Sequence, residues 1–207
     1  MRKLGYSHTT DPRPSIPMLG QNDGLAIFSK RPFVSQPVSE SFTTTGELVC
    51  KKGFVHGAIK FGDSSLHVVT THLDSKKKPK NVKELQVSQM SSALLPLFKG
   101  GCAIIAGDFN ICSRGTKDDG ASYKALKSGF SPLIDIYDGA EVASTRRPDT
   151  KPWARGKKKG KEGGAAIDHA FVMGVTCIDS NTIDIRCTDG TVVSDHLGME
   201  FTLAARG

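Results

Sequence analysis

The sequence predicts a single strand-rich α/β domain that extends over residues 1–207. Three observations support this prediction. The length suits one domain with its own core, short apolar runs bounded by turn residues recur along the chain, and only two segments have the pattern of a helix. The helices interrupt the strands instead of alternating strictly with them, and we find no internal repeat.

The strand prediction follows from short β-rich runs that glycine, proline, asparagine and aspartate separate. Residues 54–61 and 66–71 flank the polar segment 62–65, which predicts an antiparallel hairpin with a four-residue loop. Further strands are predicted at residues 25–28, 102–106, 166–172, 182–186 and 199–203.

Two helices are predicted between these strands. The first begins after Asn81, which can cap it together with Glu84 three residues later, and Pro96 ends it. The second, shorter helix covers residues 122–127. The apolar stripe of the first helix consists of Val82, Leu85, Met90, Ala93 and Leu94.

The net charge of +7 comes from two basic segments within an otherwise mildly acidic chain. Residues 76–83 contain five lysines, residues 151–161 contain six lysines and arginines, and neither segment contains an acidic residue. The second segment lies in a glycine-rich stretch, 144–164, that predicts a long surface loop. Such segments can steer a phosphate-bearing partner, and solvated loops or a localisation signal are open alternatives.

The cysteines and the N-terminal residues indicate the compartment. Five widely spaced cysteines favour reduced thiols, as in cytosolic or nuclear proteins. No apolar run follows the first basic residues, so we predict no secretory signal, and no stretch is apolar for long enough to cross a bilayer. We therefore expect a soluble, monomeric protein of the cytoplasm or nucleus.

Polar side chains at the ends of several predicted strands are candidates for one site. The string Gly-Asp-Phe-Asn at 107–110 alone favours a turn, although strand alternation would aim its Asp and Asn the same way and bury Phe109. Charged groups beside apolar strands are costly unless they are paired, hydrogen-bonded or metal-bound, so several of them in one domain indicate a shared site. The candidates are His72, Asp108, Asn110, Asp168, Asp195 and His196.

Six short strings occur in the order found in one known family: GLAIFSKRP (24–32), KGF (52–54), VTTHL (69–73), GDFN (107–110), IDH (167–169) and SDH (194–196). In these strings the chain resembles the endonuclease/exonuclease/phosphatase domains, which include DNase-I-like nucleases and neutral sphingomyelinases. The first two strings most resemble the neutral sphingomyelinase branch.

The resemblance implies an α/β four-layer sandwich, in which two packed, mostly antiparallel β-sheets are flanked by helices and the site lies at one edge of the sheets. It also implies hydrolysis of a phosphoester with Mg²⁺, or with Mn²⁺ in its place. In this family pattern Asp108 would orient or deprotonate the attacking water, and Asn110 would bind and position the phosphate. His72 would stabilise negative charge on the phosphoryl oxygens.

The resemblance assigns the other candidates to the metal and to a charge pair. Asp195 would help to bind the metal, and Asp168 would pair with His196 to fix its tautomer and charge. The chain departs from the family pattern in the residues around Asp168, since Ala166 stands where an Arg is usual and His169 where a Tyr is usual.

A larger departure concerns the first strand–helix–strand of the family, whose glutamate is the main metal ligand. The chain resembles the family only from Leu4-Gly5-Tyr6 onward, so we expect a DNase-I-like domain that is incomplete at its N-terminus. Because a Mg²⁺ site without its main carboxylate binds metal poorly, we expect weak metal binding.

The leading functional prediction is a Mg²⁺-dependent, sphingomyelinase-like phosphodiesterase that acts on a sphingolipid headgroup. An alternative is a DNA or RNA endo- or exonuclease of the same family, because Lys157, Lys158 and Lys159 could follow a phosphate backbone and Trp153 could stack on a base. An alternative of another class is an inactive truncated remnant or a binding module, which the absent glutamate favours.

Overall fold

The computed structural model describes residues 1–11, 24–47, 51–75, 81–113, 119–138, 145 and 166–206. The predicted loop therefore lies outside the described residues except for Thr145, and so do most residues of the two basic segments. This includes the predicted substrate-binding residues Lys157, Lys158 and Lys159.

The described residues form ten strands and two α-helices, joined by turns and short 3₁₀ segments. No helix in this part of the chain is long and apolar enough to cross a membrane. In chain order the elements are β1 (His8–Thr9), β2 (Phe28–Ser29), β3 (Val38–Ser41), β4 (Gly53–Phe61), β5 (Ser64–His72), α1 (Val82–Leu94), β6 (Cys102–Asp108), α2 (Asp119–Gly129), β7 (Ile134–Asp135), β8 (Asp168–Met173), β9 (Val175–Ile183) and β10 (Gly198–Ala205).

A six-stranded sheet with the order β3-β4-β5-β6-β8-β7 is the centre of the fold. The pair β5–β6 is parallel, with α1 in the connection between the two strands, and the other neighbouring pairs are antiparallel. Two antiparallel pairs, β1–β2 and β9–β10, lie outside this sheet.

The two faces of the large sheet are covered by different elements, because alternate residues of each strand point to opposite sides. One face packs on α1 and α2 through a core that includes Val69, Ile105 and Phe171. The other face packs on the β9–β10 pair through Ile104 and Val172, among others. The described residues thus contain a helical layer, the large sheet and a second small sheet, and the predicted α/β class is confirmed.

Two strand predictions differ from the structure in detail. The β4–β5 hairpin closes with a two-residue turn instead of a four-residue loop, and Gly62 opens that turn with a φ of 58°. A strand at residues 182–186 was wrong: β9 extends instead from Val175 to Ile183, and Arg186 forms only an isolated bridge to Val192. Pairing of β9 with β10 over its whole length overrides the local β propensity of residues 184–186.

The first helix has the predicted bounds but neither the predicted cap nor the whole predicted stripe. Asn81 makes no side-chain capping bond. Leu85 is 51% exposed and Gln86 is fully buried. The amide of Gln86 accepts the backbone N–H of Asp74 and donates to the carbonyl of Thr44, so its polar groups are satisfied inside the fold.

Gly107 is the point of closest approach between β5 and β6. A Cβ atom at this position would lie 2.1 Å from the carbonyl oxygen of Thr71 and 2.9 Å from its nitrogen. Only glycine therefore allows the two strands to stay paired immediately before His72 and Asp108.

We predict that Gly107→Ala lowers the free energy of unfolding by about 2 kcal/mol or more, because the added methyl group clashes with backbone that cannot turn away. Urea denaturation measures this difference. Gly120→Ala in α2 is the matched control, because no heavy atom lies within 4 Å of its Cβ position, and its stability should change by less than about 0.5 kcal/mol or rise. Equal effects of the two variants would contradict the explanation.

His56 and His67 form a stacked pair on the helical face of the sheet. Their rings are 5.2 Å apart at an angle of 7°, Nε2 of His56 lies 2.9 Å from Nδ1 of His67, and Phe98 covers both. Burial, followed by the proximity of His67, lowers the pKa of His56 from 6.5 to about 4. The pair is therefore neutral at neutral pH.

This pair predicts acid sensitivity of the fold. The unfolded chain binds a proton at His56 near pH 6.5, whereas the folded chain binds it only near pH 4. Stability should therefore fall as the pH drops through this window, by up to about 3 kcal/mol from this group. Urea denaturation at several pH values should give a shallower fall for His56→Phe, and an unchanged pH dependence would contradict the prediction.

Candidate active site

Three polar side chains form one row across the large sheet. In the strand register His72 of β5 is paired with Asp108 of β6, and Asp108 is paired with Asp168 of β8. Register partners on neighbouring strands point to the same face, so the three side chains share the face that carries the β9–β10 pair. The same face of these strands contributes the apolar cluster that packs on β9 and β10, so the row lies at the boundary between this cluster and the site.

His196 joins this row from the segment between β9 and β10. Its Nδ1 lies 2.8 Å from Oδ2 of Asp168, and its Nε2 lies 3.9 Å from Oδ2 of Asp108. Because a carboxylate faces Nδ1, this nitrogen donates a hydrogen bond to Asp168, which fixes the orientation of the ring. The structure thus brings Asp168 and His196 together, as the family pattern implied.

Thr145 connects the strand that carries Asp168 to the segment that carries His196. Its hydroxyl oxygen accepts the backbone N–H groups of Ile167 and Asp168 at 3.2 Å each. Its carbonyl accepts the N–H of Leu197 at 2.8 Å. The sequence analysis missed this residue, because a lone threonine in a polar stretch carries no recognisable pattern.

Asn110 lies beside the row in a left-handed backbone conformation with a φ of 51°. Its backbone N–H donates to Oδ1 of Asp108 at 2.8 Å, and its side-chain amide donates to the carbonyl of Leu73 at 3.0 Å. Phe109 between them is fully buried, as predicted. Asp108 therefore has one oxygen bound by the turn and the other directed to the histidines.

Lys52 is a buried cation next to the row, only 5% exposed. Its Nζ lies 2.7 Å from Nε2 of His72 and 3.8 Å from a carboxylate oxygen of Glu47. Since the ammonium group can only donate, Nε2 of His72 is the acceptor in this contact. The sequence analysis gave Lys52 no role, and its position in the KGF string was the available signal.

These groups shift one another's pKa values. Burial raises the pKa of Asp108, and the neighbouring negative charge of Asp168 raises it further. The hydrogen bond to Asp168 raises the pKa of His196 against the opposing effect of burial. Burial lowers the pKa of His72, and the charge of Lys52 lowers it further. The site thus combines a basic carboxylate, a readily protonated histidine and a neutral histidine held by a lysine.

The predicted site residues fall into three groups. His72, Asp108, Asn110, Asp168 and His196 are close together. Asp195 is exposed, although its charge helps to raise the pKa of His196. Lys157, Lys158 and Lys159 lie outside the described residues, so the roles of these lysines and of Asp195 stay predictions.

One group of side chains in the described ranges has the spacing of a metal site. It consists of Asp108, Asp168 and His196, whose possible ligand atoms all lie within 4.8 Å of one another. Asp195 and the glutamates of the described ranges are not part of it. Two facing carboxylates with a raised pKa at one of them fit a divalent cation, because the cation would remove their mutual repulsion.

No known protein family model matches the chain, and no curated protein sequence matches it. Solved structures do. TDP2 from D. rerio complexed with a single-strand DNA product is 19% identical over 87% of this chain and 71% of that chain, with a TM-score of 0.64. Beta toxin from Staphylococcus aureus is 18% identical over 99% and 79%, with a TM-score of 0.65. SmcL is 17% identical over 94% and 76%, with a TM-score of 0.62.

These likenesses show the fold. The six-stranded sheet, its helical layer and the β9–β10 pair belong to the DNase-I-like α/β sandwich that the sequence motifs implied. At less than 20% identity, the chemistry has to be argued from the residues of this chain.

The pairing of His196 with Asp168 generates a prediction that NMR can test. Asp168→Asn removes the negative charge that raises the pKa of His196 and leaves a neutral amide in its place, so the pKa measured from its ring protons should move down. Asp195→Asn is the control, because this carboxylate is exposed and has a smaller influence. An equal downward shift in both variants would show that the hydrogen bond to Asp168 does not dominate.

Proposed function

We propose that this chain is a phosphodiesterase of the sphingomyelinase-like type. The observation that carries the proposal is the row of His72, Asp108 and Asp168 with His196 above it, at the polar end of an otherwise apolar sheet face. The fold supports only the general reaction, since TDP2, which has a similar fold, was crystallised with a single-strand DNA product. The sphingomyelinase-like type rests on the resemblance of residues 24–32 and 52–54.

Asp108 is the proposed general base. Its raised pKa makes the ionised carboxylate a better proton acceptor, and one of its oxygens is held by the N–H of Asn110. The other oxygen, Oδ2, lies 3.4 Å from Nε2 of His72 and 3.9 Å from Nε2 of His196, and we assign to it the orientation of a water molecule towards phosphorus. Water attack then breaks the bond between phosphorus and the leaving oxygen, and the proton of the water moves to Asp108.

His196 is the proposed cation that faces the reacting phosphate. The hydrogen bond to Asp168 favours the protonated ring and leaves Nε2–H on the side of Asp108. A donor in this position can stabilise negative charge on a phosphoryl oxygen or protonate the leaving oxygen. Asp168 acts by holding this ring.

Lys52 and His72 are proposed to act as a pair. The family pattern implied that His72 stabilises the phosphoryl oxygens by itself, but its Nε2 accepts a hydrogen bond from Lys52. The positive charge at this side of the site therefore belongs to the lysine, and His72 positions it. A buried ammonium group is a strong stabiliser of developing negative charge, because little water screens it.

Asp108 and Asp168 are the residues that would hold a divalent cation, because His196, the third member of the group, is assigned the role of protonated donor. A variant of Staphylococcus aureus beta toxin with a TM-score of 0.66 to this chain contains bound magnesium ions. Bound Mg²⁺ would neutralise the phosphate and favour attack on it. We propose Mg²⁺ as the cofactor, and Mn²⁺ as a substitute that also suits carboxylate oxygens.

We predict that the chain hydrolyses bis(p-nitrophenyl) phosphate in the presence of Mg²⁺ and that EDTA stops the reaction. Asp108→Asn and His196→Ala should each reduce kcat at least a hundredfold, because they remove the base and the cation. Release of p-nitrophenol measures the rate. Asp63→Asn, in the exposed β4–β5 turn, is the control and should leave kcat unchanged.

Absence of hydrolysis by the folded wild-type chain would overturn the proposal and favour a binding module or an inactive remnant. A second assay separates the two proposed substrate classes: it compares the release of phosphocholine from sphingomyelin micelles with the cleavage of single- and double-stranded DNA at equal Mg²⁺. We expect hydrolysis of the sphingolipid. Hydrolysis of DNA alone, with a steep dependence on salt, would assign the chain to the nucleases instead.

A further inference from the structure

The turn that follows β6 is held by two side chains from outside the site. Nζ of Lys83, in the first turn of α1, donates to the carbonyl of Asn110. Nε2 of His169, on β8, lies 2.7 Å from the carbonyl of Ile111. Two adjacent carbonyls of one turn are thus bound from two different elements of the fold.

The conformation of this turn sets the geometry at Asp108. Asn110 has a φ of 51°, a left-handed conformation that asparagine tolerates better than most residues with a side chain. The conformation aims the N–H of Asn110 at Oδ1 of Asp108, at 2.8 Å. If the turn relaxed, the carboxylate that we propose as the base would lose the donor that orients it.

His169 is well placed to be a rigid support. It points to the helical face of the sheet, opposite to Asp168, and only 1% of its surface is exposed. Its Nδ1 lies 3.3 Å from Oδ2 of Asp135, although without the alignment of a hydrogen bond. The same Oδ2 accepts the hydroxyl of Tyr123 at 2.7 Å. Because Nε2 faces a carbonyl oxygen, this nitrogen is the protonated one and donates a hydrogen bond to the carbonyl of Ile111.

We propose that Lys83 and His169 are positioning residues that clamp the carbonyls of Asn110 and Ile111 and thereby orient Asp108. The inference rests on the proposed function for the role of Asp108. The hydrogen bonds to the turn carbonyls are the contacts through which we assign both residues an effect on Asp108. His169, which departs from the family pattern, thus holds the turn after β6 in this chain.

The kinetic test uses variants that separate the donor from the volume of the side chain. His169→Phe keeps a ring without a donor, and His169→Gln restores an amide donor near the place of Nε2. Lys83→Met and Lys83→Arg form the equivalent pair at the surface. We expect kcat to fall about 10- to 100-fold in the Phe and Met variants with KM within about threefold of wild type, and the Gln and Arg variants to recover most of the loss.

Ser122→Ala is the matched control. It removes a hydrogen bond between α2 and Glu84 of α1 without touching the turn, so it should change stability slightly and leave kcat unchanged. If Ser122→Ala lowers kcat as much as Lys83→Met does, general loosening of the helical layer explains the effect and the clamp is overturned.

A second measurement does not depend on activity. Hydrogen exchange of the Asn110 amide, measured by NMR on the wild type and the variants, reports the bond from Asn110 to Asp108 directly. The clamp predicts exchange at least tenfold faster in Lys83→Met and in His169→Phe, and near wild-type rates in Lys83→Arg and Ser122→Ala. Unchanged protection in the Lys83 and His169 variants would overturn the clamp even if the chain hydrolyses phosphodiesters, and faster exchange supports it even if the chain does not.

Discussion

Two carboxylates that face each other on neighbouring strands govern the charge distribution of this molecule. Asp108 and Asp168 occupy paired positions of β6 and β8, where like charges repel because their side chains share one face. The cost is offset by the hydrogen bond from His196 to Asp168, by the turn N–H at Asp108 and by the lysine behind His72. The groups that compensate the repulsion are also the groups that a phosphate would meet.

The large sheet makes this arrangement possible because its two faces carry different side chains. The helical face carries the main apolar core and the neutral histidine pair, which avoids charge in the core. The opposite face is apolar where β9 and β10 pack on it, and its charged groups lie in the last row of β5, β6 and β8. A dry surface below the row strengthens each electrostatic contact within it.

Local patterns in the sequence could predict the elements and most of the site, since strand alternation and motif order both depend on neighbouring residues. The pattern indicated Asp108 and Asn110 together, and the burial of Phe109 followed from it. Contacts between distant residues could not be predicted in this way. The hydroxyl and carbonyl oxygens of Thr145 accept backbone N–H groups of two other segments. Gln86 is buried because loop residues supply partners for its amide.

The central claim is that Asp108 directs a water molecule at a phosphorus atom. Hydrolysis of a phosphodiester in ¹⁸O-labelled water, followed by mass spectrometry of both products, tests this claim most directly. We expect the label to enter the phosphomonoester and its rate of incorporation to fall at least a hundredfold in Asp108→Asn. Label in the alcohol product, or incorporation into the phosphomonoester at the same rate without the Asp108 carboxylate, would contradict it.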